Sequence, residues 1–277
     1  MKNLKIRSLT GIVYVGIITL SVAYGSYTFL ALFMIITILC LWEFYRLLNV
    51  RKITNINPYI HGVGGAVLFL ATFLYISKTT DRAIFVLYLL YIVGTLVYEL
   101  YAKQEKPIER LAYILFGQCY IALSFSVLNL LAFPDTTANP PVYQRVWIFA
   151  LLVFIWANDT GAYLTGAQLG KHQLWERISP KKTWEGFFGG LTFTIIAAFF
   201  FAHFHPQIAV YHWIALSISV VVFSTYGDLF ESLIKRSVEV KDSGNCLPGH
   251  GGFLDRFDSL LLAVYAVLFY LRLFIRN

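Results

Sequence analysis

The amino-acid sequence predicts an all-α, polytopic integral membrane protein with about nine transmembrane helices and a cytoplasmic N-terminus. Of the 277 residues, 58% are hydrophobic and only 13% are charged, whereas soluble domains are about 45–50% apolar and about 25% charged. Long stretches of the sequence also contain no charged residue, and a helix needs about 20 apolar residues to cross a bilayer. This composition excludes a soluble globular domain and an intrinsically disordered chain.

The uncharged stretches predict the helices in chain order. Residues 8–42 form 35 uncharged residues, which is too long for one span, and an interruption at Tyr24-Gly25-Ser26 predicts two helices there. Residues 186–227 form 42 uncharged residues, and a break near His205-Pro206 again predicts two helices. Single spans are predicted at residues 53–77, 83–98, 111–134, 146–170 and 259–275.

Basic residues divide unevenly between the two sides of these helices. With a cytoplasmic N-terminus, 17 of the 22 lysines and arginines fall on the cytoplasmic side, as the positive-inside rule requires. The net charge of +7 is therefore attributed to topology and anionic lipid rather than to nucleic acid. We divide the chain into N-terminal transmembrane helices, residues 1–145, and a C-terminal catalytic region, residues 146–277, with cytoplasmic loops at 171–185 and 228–258.

Acidic residues concentrate in the second of these loops, which holds six of the 15 carboxylates. Asp228 shares a predicted helical face with Glu231 and Lys235, and Asp255 precedes Asp258 by three residues, again on one face of a helix. Two such carboxylate pairs would hold a hard divalent cation such as Mg²⁺ together with substrate phosphates. The alternative for the second pair is that it only complements a helix dipole.

Groups suited to binding phosphate lie in the same loop. Gly251 and Gly252 would let backbone N–H groups approach phosphate oxygens, although a glycine pair is also typical of a simple turn. Lys235, Arg236 and Lys241 would complete an anion site, although loop cations also act as topology determinants. The coincidence of these features in one short segment favours a binding site.

Asp159 lies inside the predicted span at residues 146–170. An ionisable residue within a span is costly and by default indicates function, while the alternative is a satisfied hydrogen bond between helices. The following loop carries Lys181 and Lys182 and is expected on the same cytoplasmic side.

Three segments resemble motifs of the phosphatidate cytidylyltransferase family, whose members are also called CDP-diacylglycerol synthases. Residues 232–258 read SLIKRSVEVKDSGNCLPGHGGFLDRFD, residues 158–163 read NDTGAY, and residues 179–186 read SPKKTWEG. The resemblance implies a polytopic, homodimeric enzyme. The compact chain with three cations at its N-terminus suggests a bacterial cytoplasmic (inner) membrane, with a eukaryotic internal membrane as the alternative, and the distribution of basic residues predicts an active site facing the cytoplasm. Such an enzyme condenses CTP with phosphatidic acid to give CDP-diacylglycerol and pyrophosphate. The family also implies Mg²⁺ and allows a second, monovalent ion such as K⁺.

The resemblance also implies roles for individual residues. It assigns Asp228 and Asp255 to the metal and Asp258 to its support, and these three with Lys182 form the expected catalytic set. Residues expected to neutralise phosphates are Lys181, Lys182, Lys235, Arg236, Lys241 and Arg256. His250 is expected to contact phosphate or ribose, and Asp159 to lie in the polar cavity.

Two other functions remain open at this point. A CTP-dependent lipid kinase of the polyprenol or phytol type would need a similar Mg²⁺ site but would release CDP instead of pyrophosphate. A secondary transporter could use Asp159 as an ion site, but it is typically built from repeats with polar residues in corresponding positions. The polar residues of this chain crowd into its second half, which favours the enzyme.

Overall fold

The structure is a computed structural model. It describes residues 2–50, 53–103, 105–135, 138–240, 243–244 and 251–275, with side chains from residue 10 onward. The chain divides into two compact units. The first unit comprises Met1–Arg145 and Asp242–Arg256, and the second comprises Val146–Lys241 and Phe257–Asn277.

The first unit is built from six α-helices. They are α1 Lys2–Tyr24, α2 Ser26–Val50, α3 Pro58–Ile76, α4 Phe85–Tyr101, α5 Pro107–Gly117 and α6 Leu123–Ala132. A 3₁₀ turn, Arg82–Ile84, leads into α4, and a π-helical segment, Gln118–Ala122, joins α5 to α6. The break at Gly25 separates α1 from α2, as the sequence predicts.

Aromatic packing and a few buried hydrogen bonds hold the first unit together. Phe29 of α2 lies 6.1 Å from Phe69 of α3, measured between ring centroids. The Tyr45 hydroxyl donates a hydrogen bond to the Ile114 carbonyl at 2.8 Å. Gln118 of the π-helical segment donates to the backbone carbonyl of His61 at 2.8 Å. These buried polar contacts fix α2, α3 and α5 against one another because an unpaired buried group would be costly.

The second unit contains α7 Val146–Leu169, α8 Trp184–Phe204, α9 Val210–Ser237 and most of α10 Leu254–Tyr270, which ends in a π turn, Leu271–Ile275. Strands β1 Gln173–Trp175 and β2 Ser179–Thr183 pair antiparallel between α7 and α8. A Cβ atom at Gly161 of α7 would lie 2.8 Å from the carbonyl oxygen of Gly189 of α8. Small residues therefore let these two helices approach closely, as is common in membrane helix pairs.

The predicted all-α membrane class is confirmed. Within the part of the chain that the structure describes, eight helices are long and apolar enough to cross a bilayer. The expected count of about nine is approximate because α1 contributes a shorter apolar stretch, Thr10–Tyr24, within the range searched.

Both predicted cytoplasmic loops contain regular structure. Most of the segment at 171–185 forms the β1–β2 hairpin, and residues 228–237 continue α9, as the predicted helical face of Asp228, Glu231 and Lys235 requires. The Glu231–Lys235 ion pair, four residues apart, and the cations Lys235 and Arg236 in the last turn stabilise this extension of α9. The segment between α9 and α10 therefore runs from 238 to 253.

Candidate active site

A cavity of about 500 Å³ lies within the second unit. Its polar lining comes from α7, β2, α9 and α10 and includes Asn158, Asp159, Lys181, Lys182, Ser224 and Asp228. Four of these residues, Asp159, Lys181, Lys182 and Asp228, belong to the site predicted from sequence, and the fold brings them together. Asp159 is exposed in this cavity, which removes much of the cost of a carboxylate within an apolar helix.

The hairpin places the two lysines at the cavity. Lys181 and Lys182 lie on β2, which ends at Thr183, the N-cap of α8. The Thr183 side chain accepts a hydrogen bond from the Gly186 N–H at 3.1 Å. The Glu185 carboxylate accepts the His172 N–H at 3.2 Å and contacts the ring Nδ1 of His172 at 2.6 Å. The base of the hairpin is thus bound to the first turn of α8, and this fixes the direction of β2.

Lys182 and Asp228 form an ion pair inside the cavity lining. The Nζ atom of Lys182 lies 2.7 Å from Oδ2 of Asp228, and the two side chains are 26% and 32% exposed. A contact of this length is a charge-assisted hydrogen bond. Asp228 is therefore paired with a cation of the protein itself. Because both side chains are partly exposed, a ligand can reach either group.

Carboxylates from two helices lie within electrostatic range of Asp258, which is on a third helix. A Cβ atom at Gly227 would lie 2.6 Å from the backbone oxygen of Asp258, so α9 and α10 approach closely beside Asp228. Asp258 lies within electrostatic range of Asp228, Glu231 and Asp159. Glu231, which is fully buried, forms an ion pair with Lys235. Four carboxylates thus stand with the lysines Lys182 and Lys235, so this group carries a negative formal charge.

Lys235 and Arg236 differ in how available they are. The Glu231 carboxylate compensates the charge of Lys235, whose side chain is 12% exposed. Arg236 is exposed, and its Nη1 donates to the Val240 carbonyl at 3.2 Å. Arg256 is also exposed, in the first turn of α10. Lys241 and His250 lie outside the described residues, so their predicted contacts stay predictions.

In the first unit, Asp255 binds the backbone of the segment that precedes it. Its Oδ2 accepts the Gly252 N–H at 2.8 Å and the Ser243 N–H at 3.1 Å. Gly251 adopts φ +84°, which favours glycine, and a Cβ there would lie 2.8 Å from the same Asp255 oxygen. The Gly252 N–H therefore points at a carboxylate in this structure, and the predicted phosphate contacts of both glycines stay predictions.

Sequence reasoning assigned no role in the site to two polar residues, Asn158, which begins the NDTGAY motif, and Glu43. Asn158 is buried, and its amide donates to the Ser224 hydroxyl at 3.4 Å, joining α7 to α9 beside the cavity. Glu43 of α2 is 2% exposed and accepts hydrogen bonds from Ser243 and Leu254. A usable signal was present for Glu43, since it is the first charge after 35 uncharged residues.

The fit to a metal ion depends on the donor set. No group of three or more histidine, cysteine, aspartate or glutamate residues in the searched ranges is arranged to hold a metal ion by itself. Mg²⁺ differs from other metals in that it is usually held by one or two carboxylates with waters and substrate phosphates. The oxygen donors of Asp228 and Asp258, in a group of negative formal charge, fit that mode.

Comparison with known proteins assigns the chain to a protein family. The model of the cytidylyltransferase family matches residues 5–274. The phosphatidate cytidylyltransferase of Bacillus subtilis (strain 168) is 34% identical over 99% of this chain and 100% of its own length. That of Staphylococcus aureus (strain COL) is 32% identical over 94% and 96% of the two chains. With a family match over nearly its whole length, this chain belongs to the cytidylyltransferase family.

Proposed function

We propose that this protein is a phosphatidate cytidylyltransferase of phospholipid biosynthesis, which forms CDP-diacylglycerol and pyrophosphate from CTP and phosphatidate. The relatives from Bacillus subtilis and Staphylococcus aureus, which match nearly the full chain, carry that name. The observation that carries the proposal is the cavity in which Lys182 pairs with Asp228 beside Asp159 and Lys181. It combines cations for phosphate with carboxylates for a hard metal ion in one membrane-embedded unit.

The proposed reaction joins two polyanions. A phosphate oxygen of phosphatidate bonds to the α-phosphorus of CTP, and the bond from that phosphorus to the oxygen that bridges the α- and β-phosphates breaks. The departing pyrophosphate takes the electron pair, so negative charge grows on the leaving group. Catalysis of such a transfer needs positioning and electrostatic stabilisation, with no nucleophile from the protein.

Lys182 has a specific part in this scheme. In the structure its ammonium group neutralises Asp228 at 2.7 Å. When CTP phosphates enter the cavity, Lys182 can exchange its contact with Asp228 for one with a phosphate oxygen. The carboxylate of Asp228 is then released for a metal ion. Lys181, which is exposed on the same strand, adds a second cation for the triphosphate.

Mg²⁺ is part of the proposal. Asp228 and Asp258 would hold it, and the ion would supply positive charge against the triphosphate. The resemblance implies that Asp228 shares the metal with Asp255. Because Asp255 belongs to the first unit and Asp228 to the second, that sharing stays a prediction, as does a second, monovalent ion such as K⁺.

The membrane setting completes the proposal. The chain is an integral membrane protein with bacterial relatives. We propose the bacterial cytoplasmic membrane, with the active site facing the cytoplasm, because CTP is a cytoplasmic solute and 17 of the 22 basic residues fall on that predicted side. We also propose a homodimer, which the resemblance implies.

The test is a transfer assay on purified, detergent-solubilised protein. CTP labelled at the α-phosphorus is supplied with phosphatidate and Mg²⁺, and label in lipid and pyrophosphate in water are both measured. Equimolar label and pyrophosphate support the proposal. Release of CDP with unlabelled phosphorylated lipid, when a polyprenol or phytol replaces phosphatidate, would show a kinase instead. No consumption of CTP with any of these lipids would contradict both enzymatic functions.

A further inference from the structure

We infer that Glu43 of α2 is a positioning residue for the segment that carries Asp255. The inference deepens the proposed function, on which its catalytic consequence rests. The structural part depends only on contacts within the first unit, which contains both Glu43 and residues 242–256. Neither the motifs nor the names of the relatives assign a role to Glu43.

The location of Glu43 is unusual for a carboxylate. It is 2% exposed in α2, a 25-residue helix that is apolar enough to cross a bilayer. Burial of an ionisable group within a membrane helix is costly and persists where the group makes specific contacts. Its contacts therefore show what Glu43 does.

Glu43 binds both ends of the described part of the 243–254 segment. Its Oε2 accepts the Ser243 hydroxyl at 3.2 Å and the Leu254 N–H at 2.8 Å. Leu254 is the first residue of α10, where a backbone N–H has no partner within the helix. A carboxylate at this position satisfies that donor and interacts favourably with the helix dipole.

Two glycines let the segment close around this carboxylate. A Cβ atom at Gly244 would overlap with Oε1 of Glu43, and one at Gly252 would overlap with both carboxylate oxygens. The backbone at both glycines therefore lies against Glu43. A larger residue at either place would push the segment away from α2.

The same segment also binds Asp255. Ser243 donates its hydroxyl to Glu43 and its backbone N–H to Asp255. Gly252 packs against Glu43 and donates its N–H to Asp255 at 2.8 Å. Ser243 and Gly252 therefore each contact both carboxylates, that of Glu43 and that of Asp255. Loss of Glu43 would remove the Ser243 and Leu254 hydrogen bonds that hold the segment beside Asp255.

The experiment compares Glu43→Gln and Glu43→Leu with wild type in the transfer assay, at varied Mg²⁺ and saturating substrates. Glutamine keeps an acceptor and removes the charge, whereas leucine removes every hydrogen bond. With Asp255 as a ligand of the proposed Mg²⁺, as the resemblance implies, we expect the half-saturating Mg²⁺ concentration to rise about 10- to 100-fold in Glu43→Leu, the usual loss when a group that orients a metal ligand is removed. The rise in Glu43→Gln should be smaller.

Glu99→Gln provides the matched control. Glu99 is a buried carboxylate of the same unit, but it pairs with Arg110 at 2.9 Å. This variant should lose stability while its Mg²⁺ dependence stays that of wild type. A positioning role would be overturned if Glu99→Gln changed the Mg²⁺ dependence as much as the Glu43 variants do. It would also be overturned if Glu43→Leu left the Mg²⁺ dependence unchanged.

A second measurement separates this inference from the proposed function. Hydrogen–deuterium exchange of the Leu254 amide should be at least about tenfold faster in Glu43→Leu, because its acceptor is gone. Unchanged exchange would overturn the inference even if the enzyme is active. If the wild-type protein has no transferase activity, the proposed function fails. Faster exchange in Glu43→Leu would still uphold the contact between Glu43 and Leu254.

Discussion

Replacing Lys182 with methionine should lower kcat/KM for CTP about 10- to 100-fold and leave the fold intact. Methionine keeps an unbranched side chain of similar length and removes the ammonium group that lies 2.7 Å from Asp228. A hydrogen bond to a charged group contributes about 1.5–3 kcal/mol, and about 1.4 kcal/mol corresponds to a tenfold change in rate. The expected loss follows if Lys182 exchanges Asp228 for a phosphate in the transition state.

The effect on stability should be much smaller. The side chains of Lys182 and Asp228 are 26% and 32% exposed, and solvent-accessible ion pairs contribute about 1 kcal/mol or less. Thermal unfolding in detergent should therefore change little. This separates a loss of catalysis from a loss of fold.

The assay measures initial rates of label transfer over a range of CTP concentrations. Lys106→Met is the matched control because Lys106 also forms an ion pair, with Glu109 at 3.1 Å, but on an exposed helix end. It should leave kcat/KM unchanged. A Lys182→Met enzyme with the kcat/KM of wild type would refute the reasoning, as would an equal loss in Lys106→Met.

Three further predictions follow from individual contacts. Asp228→Asn should abolish transfer while expression and membrane insertion stay normal, because a carboxylate proposed to bind metal is lost without a change in volume; near-normal turnover would remove that assignment. Arg236→Ala should mainly raise KM for CTP, since the exposed guanidinium is proposed to bind phosphate; a loss confined to kcat would argue against this role. Gly161→Val should lower the free energy of unfolding by about 1–3 kcal/mol, because its Cβ would lie 2.8 Å from the Gly189 carbonyl; a thermal unfolding curve identical to wild type would contradict this close packing of α7 and α8.

Much of the fold was predictable from local sequence. A membrane helix must satisfy its own backbone and bury no charge in lipid, so uncharged stretches locate the helices, and Gly25 does separate α1 from α2. The helical face predicted for Asp228, Glu231 and Lys235 also agrees with α9, which runs to Ser237. The β1–β2 hairpin was not predicted, because the uncharged stretches indicate only helices.

The residue types of the candidate site were also readable from the sequence, because phosphate and Mg²⁺ restrict the choice to cations and carboxylates. Which residues meet was decided by the tertiary structure. Lys182 and Asp228 are 46 positions apart and join through the β1–β2 hairpin and α9, while Glu43 reaches Leu254 across 211 positions. Local patterns report composition and periodicity, whereas such contacts depend on how the helices pack, and packing is set by glycine contacts and buried hydrogen bonds between segments distant in the chain.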